Sequence, residues 1–260
     1  ARTPTKSTSA GIISSSRKVS VDSPRIWRQA ARTATSLKFD ETQLGELEIL
    51  SIALGPAVTN AYLVADPASG VAVAVDPAWD GALIHAEAQR RGWRITHIWL
   101  THAHFDHFGG AGAISDACAA PVPVALHSKD HPLWRVGGGA FAFGIPNFDP
   151  GPEPTIYLEH GMQMRLGGST FEVRHTPGHT PGHVVFRESE AGLVFCGDLI
   201  FQGSVGRTDL SGGDMTTLLR SIQEEILTLP DSTRLFVGHG PATTVGEERH
   251  SNPFLNGIAG

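Results

Sequence analysis

Cysteine is scarce in this sequence. Two occur, Cys118 and Cys196, and they are not spaced as a CxxC pair. That argues against a disulfide framework and against a closed structural zinc site built on thiolates, and it favours a reducing compartment. Cys196 has no histidine and aspartate pair beside it to suggest activation, and it reads as a small buried residue rather than a nucleophile. Long apolar runs are lacking too. None approaches the ~18 residues of a membrane span, although 40% of the 260 residues are hydrophobic. The chain is therefore expected to be soluble, with core enough for one or two domains, and cytoplasmic, or in an organelle once a targeting segment is removed. No internal repeat is evident.

Charge is unevenly spread. Residues 1–38 hold eight Lys or Arg and one acid, Asp22, about +7; the whole chain is −6, which leaves about −13 for the remainder. Residues 1–43 are read as a basic N-terminal arm and residues 44–260 as the catalytic domain. The arm is expected to be a solvated tail, a targeting segment, or a strap packed on the acidic body of its own subunit or of a neighbouring one, the last of which would make the protein a homo-oligomer. Neither nucleic acid nor a membrane is expected as a partner.

Residues 44–76 read as strands: 49–54, 61–64 and 71–75 are apolar, broken by Gly55-Pro56 and by a Pro67-to-Gly70 turn. Residues 81–91 read as a short helix closed by Gly92. Apolar strands follow at 95–100 and 122–126, then a long loop with Gly137-Gly138-Gly139 and the stretch 144–154, a candidate flap. In the second half, 170–175, 184–186, 193–195 and 235–237 read as strands. Asp214 is placed to cap a helix whose apolar residues Met215, Leu218, Leu219, Ile222, Ile226 and Leu229 fall at helical spacing before Pro230 stops it. Strands grouped around a few helices in two similar halves predict an α/β fold of two packed sheets with outer helices.

The densest signal is Thr101-His102-Ala103-His104-Phe105-Asp106-His107, directly after an apolar strand. Three histidines and a carboxylate within six residues cannot all be packed in a core, because buried together without a cation they would leave several polar groups unpaired. Three more candidates sit just past apolar strands: His179, Asp198 and His239. Strand ends that share one edge of a sandwich deliver their loops to one place, so these residues are expected to converge. Their N and O donors suit zinc, iron or manganese. His175 and His183, flanking His179, read as supporting or packing residues; His127 and His131 read as surface or pocket-wall residues.

In order and type, His102, His104, Asp106, His107, His179, Asp198 and His239 resemble the ligand pattern of the metallo-β-lactamase superfamily, and the resemblance covers about residues 45–257. It implies an αββα sandwich of two mixed sheets with outer helices. It also implies two divalent metal ions, zinc first and iron or manganese as alternatives. His102, His104 and His179 would hold one; Asp106, His107 and His239 would hold the other; Asp198 would bridge them. Within the superfamily, Ile200 through Asp214, with Gly206-Arg207-Thr208-Asp209, resembles the compact glyoxalase II-like enzymes. So do Gly238 through Thr244, Glu247-Glu248-Arg249 and Asn252-Pro253-Phe254.

That likeness implies a thioesterase acting on S-acylglutathione such as lactoylglutathione, by attack of a metal-bridging hydroxide. Asp106 and Asp198 would serve as catalytic carboxylates. Arg207 would contact the glutathione portion, its alternative role being a structural pair with Asp209 or Asp214. Full-length glyoxalase II carries a C-terminal helical domain that helps grip glutathione. This chain runs only about twenty residues past His239, so a compact enzyme is expected. The alternatives are a persulfide dioxygenase with a single iron, a lactonase or β-lactamase-like hydrolase, and a binding protein on a retained fold.

Overall fold

The structure, a computed structural model, describes residues 38–256. The basic arm therefore lies, as far as residue 37, outside the described residues. The end of that arm, placed at residue 43 on the sequence, falls inside a strand: Asp40–Leu44 forms β1, paired antiparallel with its neighbour from Asp40↔Ser51 to Leu44↔Leu47. This is a polar, largely exposed edge strand, so it carries no apolar run for a sequence reading to detect.

Two mixed sheets form the centre. In the first, β1, β2 (Leu47–Leu54), β3 (Thr59–Asp66) and β4 (Val71–Val75) make an antiparallel meander. It continues in parallel through β5 (Arg94–Trp99), β6 (Val124–His127) and β7 (Ile156–Leu158). In the second, β8 (Gln163–Leu166), β9 (Ser169–His175), β10 (Val184–Glu188) and β11 (Leu193–Gly197) are antiparallel neighbours. β14 (Arg234–Val237) then adds in parallel to β11, and β15 (Thr243–Thr244) closes that edge. A hairpin, β12 (Ile200–Phe201) and β13 (Ser204–Val205), stands apart from both sheets.

The period-two alternation of side chains assigns each strand face to a layer. Tyr62 and Val64 of β3 face the second sheet, meeting Phe171, Val173, Val184, Phe186, Phe195 and Phe236. Trp99 fills the middle of this layer, stacked on Phe186 with ring centroids 5.3 Å apart and edge-on to Phe171 at 5.2 Å. The alternate residues Leu63 and Ala65 face outward, with Ile84 and Ala88 of α1 (Gly81–Arg90) and Ile114 of a later helix. On the far side, Val194 and Cys196 of β11 pack under Leu218 and Ile222 of a helix over Met215–Glu225. The result is the expected αββα sandwich.

The remaining helices are α2 (Phe105–Phe108), α3 (Ala111–Ala117), α4 (His131–Arg135), α5 (Met215–Glu225) and α6 (Val245–Ser251). Asp214 caps α5 as its position predicts, its side chain accepting from Thr217 N–H at 2.7 Å. The helix ends at Glu225, before Pro230, because Leu227 N–H reaches back five residues to Ile222 O at 2.9 Å while Ile226 stays buried. Part of the candidate flap is also ordered differently from expectation. Gly137–Phe143 is a 3-10 segment, kinked where Gly138 and Gly139 take left-handed φ of 62° and 82°, a conformation glycine adopts without a Cβ penalty. No helix among the described residues is long and apolar enough to cross a membrane.

Candidate metal centre

All seven sequence-predicted ligands meet at one edge of the sandwich. The segment 101–107 leaves the end of β5 and enters α2; His179 lies between β9 and β10; Asp198 and His239 follow β11 and β14. Close approach between these strand ends needs glycine. At Gly238 a Cβ would sit 2.1 Å from Asp198 Oδ1 and 2.8 Å from His107 Cε1.

The ring nitrogens fall into two groups. His104 Nδ1 is 2.8 Å and His102 Nε2 is 3.2 Å from His179 Nε2. Opposite them, His239 Nε2 is 3.4 Å from Asp106 Oδ2, and His107 Nε2 is 3.6 Å from the same oxygen. Asp198 stands between the groups. Its Oδ1 is 3.3 Å from His107 Nε2, while its Oδ2 is 3.5 Å from both His179 Nε2 and His239 Nε2. Ligand atoms of His102, His104 and His179, and of Asp106, His107 and His239, are each close enough together to hold one ion.

Hydrogen bonds fix which ring nitrogen faces inward. Thr101 Oγ1 donates to Asp76 Oδ2 at 2.6 Å, so at 3.0 Å it accepts from His102 Nδ1–H. His107 Nδ1–H donates to Asp76 Oδ2 at 3.0 Å, and His179 Nδ1–H to Arg207 O at 2.7 Å. Each of these rings therefore turns its Nε2 to the centre, the atom that a cation would bind. Two inward atoms, His107 Nε2 and Asp198 Oδ1, are buried with no hydrogen-bond partner. Such groups are costly to bury unpaired; converging lone pairs and an unpartnered carboxylate oxygen are what a divalent cation satisfies. The donor set of nitrogens and oxygens fits zinc, iron or manganese.

Electrostatics separates the two groups. Burial, then the neighbouring histidines, holds His102 well below its ordinary pKa and brings His104 down to about 3. Burial acts the same way on His107 and His239, but Asp198 and Asp106 outweigh it, lifting His107 well above its ordinary value and His239 to about 9. Both carboxyls are pushed up by burial, yet their histidine neighbours, His107 foremost, hold Asp106 and Asp198 below the usual carboxylate range.

Three supporting residues had no distinct signal in the sequence. Asp76, buried at the end of β4, accepts from Thr101 N–H at 2.8 Å as well as from Thr101 Oγ1 and His107. Asp130, fully buried, accepts from Ala103 N–H at 3.1 Å, Thr180 Oγ1 at 2.7 Å and Gly182 N–H at 2.6 Å, clasping the two histidine-bearing loops together. Thr59 Oγ1 donates to Asp106 Oδ2 at 2.8 Å. A charged residue at the end of the otherwise apolar 71–75 run was the available cue for Asp76.

His183 and His175 lie where supporting or packing roles place them, whereas His127, expected at the surface or on a pocket wall, is buried. His183 Nε2 accepts from Asp198 N–H at 3.2 Å, and its Nδ1 pairs with Thr176 Oγ1 at 2.8 Å. His127 and His175 stack nearly parallel, 4.3 Å between centroids. His131 pairs with Glu153 at 3.1 Å. Cys196 is buried and its thiol is pushed up by that burial, as a packing residue requires. Arg207 forms a two-pronged pair with Asp209, both contacts 2.7 Å, with its side chain 51% exposed.

The comparisons agree with this geometry. The family model described as "Metallo-beta-lactamase superfamily" matches residues 54–239. A probable metallo-hydrolase of Bacillus subtilis is 38% identical over 209 residues, covering 79% of this chain and 96% of that protein. Hydroxyacylglutathione hydrolase GloC of Haemophilus influenzae is 36% identical over 198 residues, 76% of this chain and 92% of its own. Among solved structures, the B3 metallo-beta-lactamase BLEG-1 superposes with TM-score 0.75 at 40% identity, covering 80% of this chain and all of that one. TTHA1623 in a di-iron-bound form superposes with TM-score 0.70 at 43% identity, covering 79% and 99%. The chain belongs to the metallo-β-lactamase superfamily, and within it to the metal-dependent hydrolases.

Proposed function

We propose that this chain hydrolyses thioesters, S-acylglutathiones such as lactoylglutathione first among them, using two divalent cations. His102, His104 and His179 would hold one, Asp106, His107 and His239 the other, with Asp198 between them. Divalent cations at such a centre lower the pKa of water from about 15.7 toward 7 and polarise a carbonyl. The chain's own part is placement. Asp198 turns Oδ1 to His107 and Oδ2 to both His179 and His239, so its carboxylate faces both groups, and Asp106, braced by Thr59, sets a carboxylate beside His239. Asp106 is the group placed to orient the attacking water.

The observation that carries the thioester reading is the direction of the imidazole N–H groups. Those of His102, His107 and His179 all point away from the centre, to Thr101, Asp76 and Arg207 O. With cations bound, the histidine rings would ligate instead of carrying the protons that Asp198 and Asp106 otherwise hold on His107 and His239, leaving the centre poor in acids. An amide nitrogen must be protonated to leave, whereas a thiol of ordinary pKa ~8.5 leaves as thiolate. The 36% identity to hydroxyacylglutathione hydrolase GloC supports the same reading. Arg207 would receive a substrate carboxylate by exchanging it for exposed Asp209. The test is a substrate panel on metal-quantified protein: S-lactoylglutathione, a thioester lacking glutathione carboxylates, a lactone, a β-lactam and glutathione persulfide. Preferred turnover of S-lactoylglutathione supports the proposal; oxygen uptake with the persulfide, or faster lactone or lactam cleavage, overturns it.

A further inference from the structure

The C-terminal segment Glu247-Glu248-Arg249 and Asn252-Pro253-Phe254 contributes no ligand, yet it contains a fully buried carboxylate. Glu248 accepts three hydrogen bonds: from Thr243 Oγ1 at 2.6 Å, Gly203 N–H at 2.8 Å and Asn252 Nδ2 at 2.8 Å. Asn252 in turn donates to Ser204 O at 2.9 Å. Gly203 and Ser204 belong to the β12–β13 hairpin, so Glu248 and Asn252 fasten that hairpin to the middle and the C-terminal cap of α6.

The hairpin touches every ligand supplied by the second half of the chain. It begins two residues after Asp198. Its exit is pressed against the centre at Gly206, where a Cβ would lie 1.9 Å from Asp198 O and 3.4 Å from His179 Nδ1. The next residue, Arg207, offers the carbonyl that receives His179 Nδ1–H at 2.7 Å. On the other side the Phe201 ring stands edge-on to His239, centroids 5.8 Å apart. Thr243, held by Glu248, sits in β15, paired with β14, the strand that delivers His239. A buried carboxylate is expensive unless its oxygens are fully bonded. Here the bonds tie the segment after Asp198 to the segment after His239.

We propose that Glu248 is a positioning residue: through the β12–β13 hairpin it sets the placement of His179, Asp198 and His239, and with it the metal affinity of the centre. The inference rests on the reading of these residues as metal ligands. Glu248→Gln should preserve the arrangement. Its carbonyl can accept from Gly203 and Asn252, while its NH2 donates to Thr243 Oγ1, which can turn its own hydrogen to Glu247 Oε2, 2.9 Å away. Glu248→Ala removes the acceptor that joins all three donors, leaving Thr243 Oγ1 with Glu247 and Asn252 with Ser204 O, and no side chain between the hairpin's Gly203 N–H and β15.

The experiment is chelator competition with cobalt(II), together with the visible spectrum of the cobalt form, on the full chain and its variants. Glu248→Ala should weaken cobalt binding by about 10–100-fold, the usual range for partners of metal ligands, and shift the visible bands; Glu248→Gln should stay near wild type in both. A lowered melting temperature in Glu248→Ala, with unchanged cobalt affinity and spectrum, would overturn the proposal. Should Glu248→Ala fail to fold, Asn252→Ala, which cuts the bond to Ser204 O in the hairpin along with those to Glu248 and Phe254 N–H, should lose cobalt affinity several-fold. Wild-type affinity and spectrum in that variant would overturn the proposal as well. Failure of the wild-type chain to bind cobalt is a different result, since it sinks the metal reading itself.

Discussion

Four of the seven gathered residues come from one short stretch, residues 102–107, whereas His179, Asp198 and His239 arrive singly from three separate strand ends. The first group has its spacing set by a loop and one helical turn, and it is pinned from behind by Asp76 and Asp130. The second group shares no local backbone. Its geometry depends on close glycine contacts and on a hairpin fastened by residues some fifty positions later in the chain. The first half is set by one stretch of chain with two buried carboxylates behind it. The second is brought together by contacts between segments distant in sequence.

The sharpest way to break this contrast is Asp198→Ala. That residue alone faces both groups, so its loss should drop thioester turnover to background and reduce bound metal. His183→Ala, which removes the acceptor for Asp198 N–H and the partner of Thr176 Oγ1, should cost about tenfold, the low end of the range for partners of metal ligands. Steady-state kinetics with metal analysis separates the two; equal losses with metal retained in both would mean that Asp198 does not bridge.

Asp76→Ala probes the first group. Three donors, from Thr101 and His107, lose their buried acceptor. Metal affinity should fall by about 10–100-fold, and stability should fall with it, by about 1–3 kcal/mol for buried donors left unpaired. Chelator competition and denaturant unfolding measure both. Unchanged affinity would show that the run 102–107 holds its geometry without support.

The smallest effect concerns the stacked pair His127 and His175. Burial, then His175 and Lys129, bring His127 down to about 4. Between pH 4 and its ordinary value of about 6.5 the unfolded chain therefore binds more protons than the folded one. This contribution is favourable above pH 6.5 and is lost as pH falls through that window. His127→Phe should narrow the drop in melting temperature between pH 7 and pH 4.5 by a few degrees; an unaltered drop would assign the acid sensitivity to other histidines.

How much was legible in the sequence follows the same division. The run from His102 to His107 declared itself by density, and the apolar strands by their period. His179, Asp198 and His239 could be read only as polar residues placed after strands, then matched to a family pattern. Asp130, Asp76, Thr59 and Glu248 were not legible as supports, because a lone buried carboxylate or hydroxyl has no spacing to recognise. Its meaning comes from donors far away in sequence, such as Gly203 for Glu248. The β1 strand was hidden by its polar exposed edge. The early end of α5 was hidden because Ile226 and Leu229 keep helical spacing after the helix has stopped.

Metal stoichiometry tests the central claim most directly. The two groups of nitrogens, with Asp198 facing both, predict that protein stripped and reconstituted with excess zinc or manganese reaches two ions per chain by elemental analysis. His239→Ala should lower that number toward one while the group around His102 stays filled. A firm ceiling of one ion in the wild-type chain, with full activity, would contradict the account.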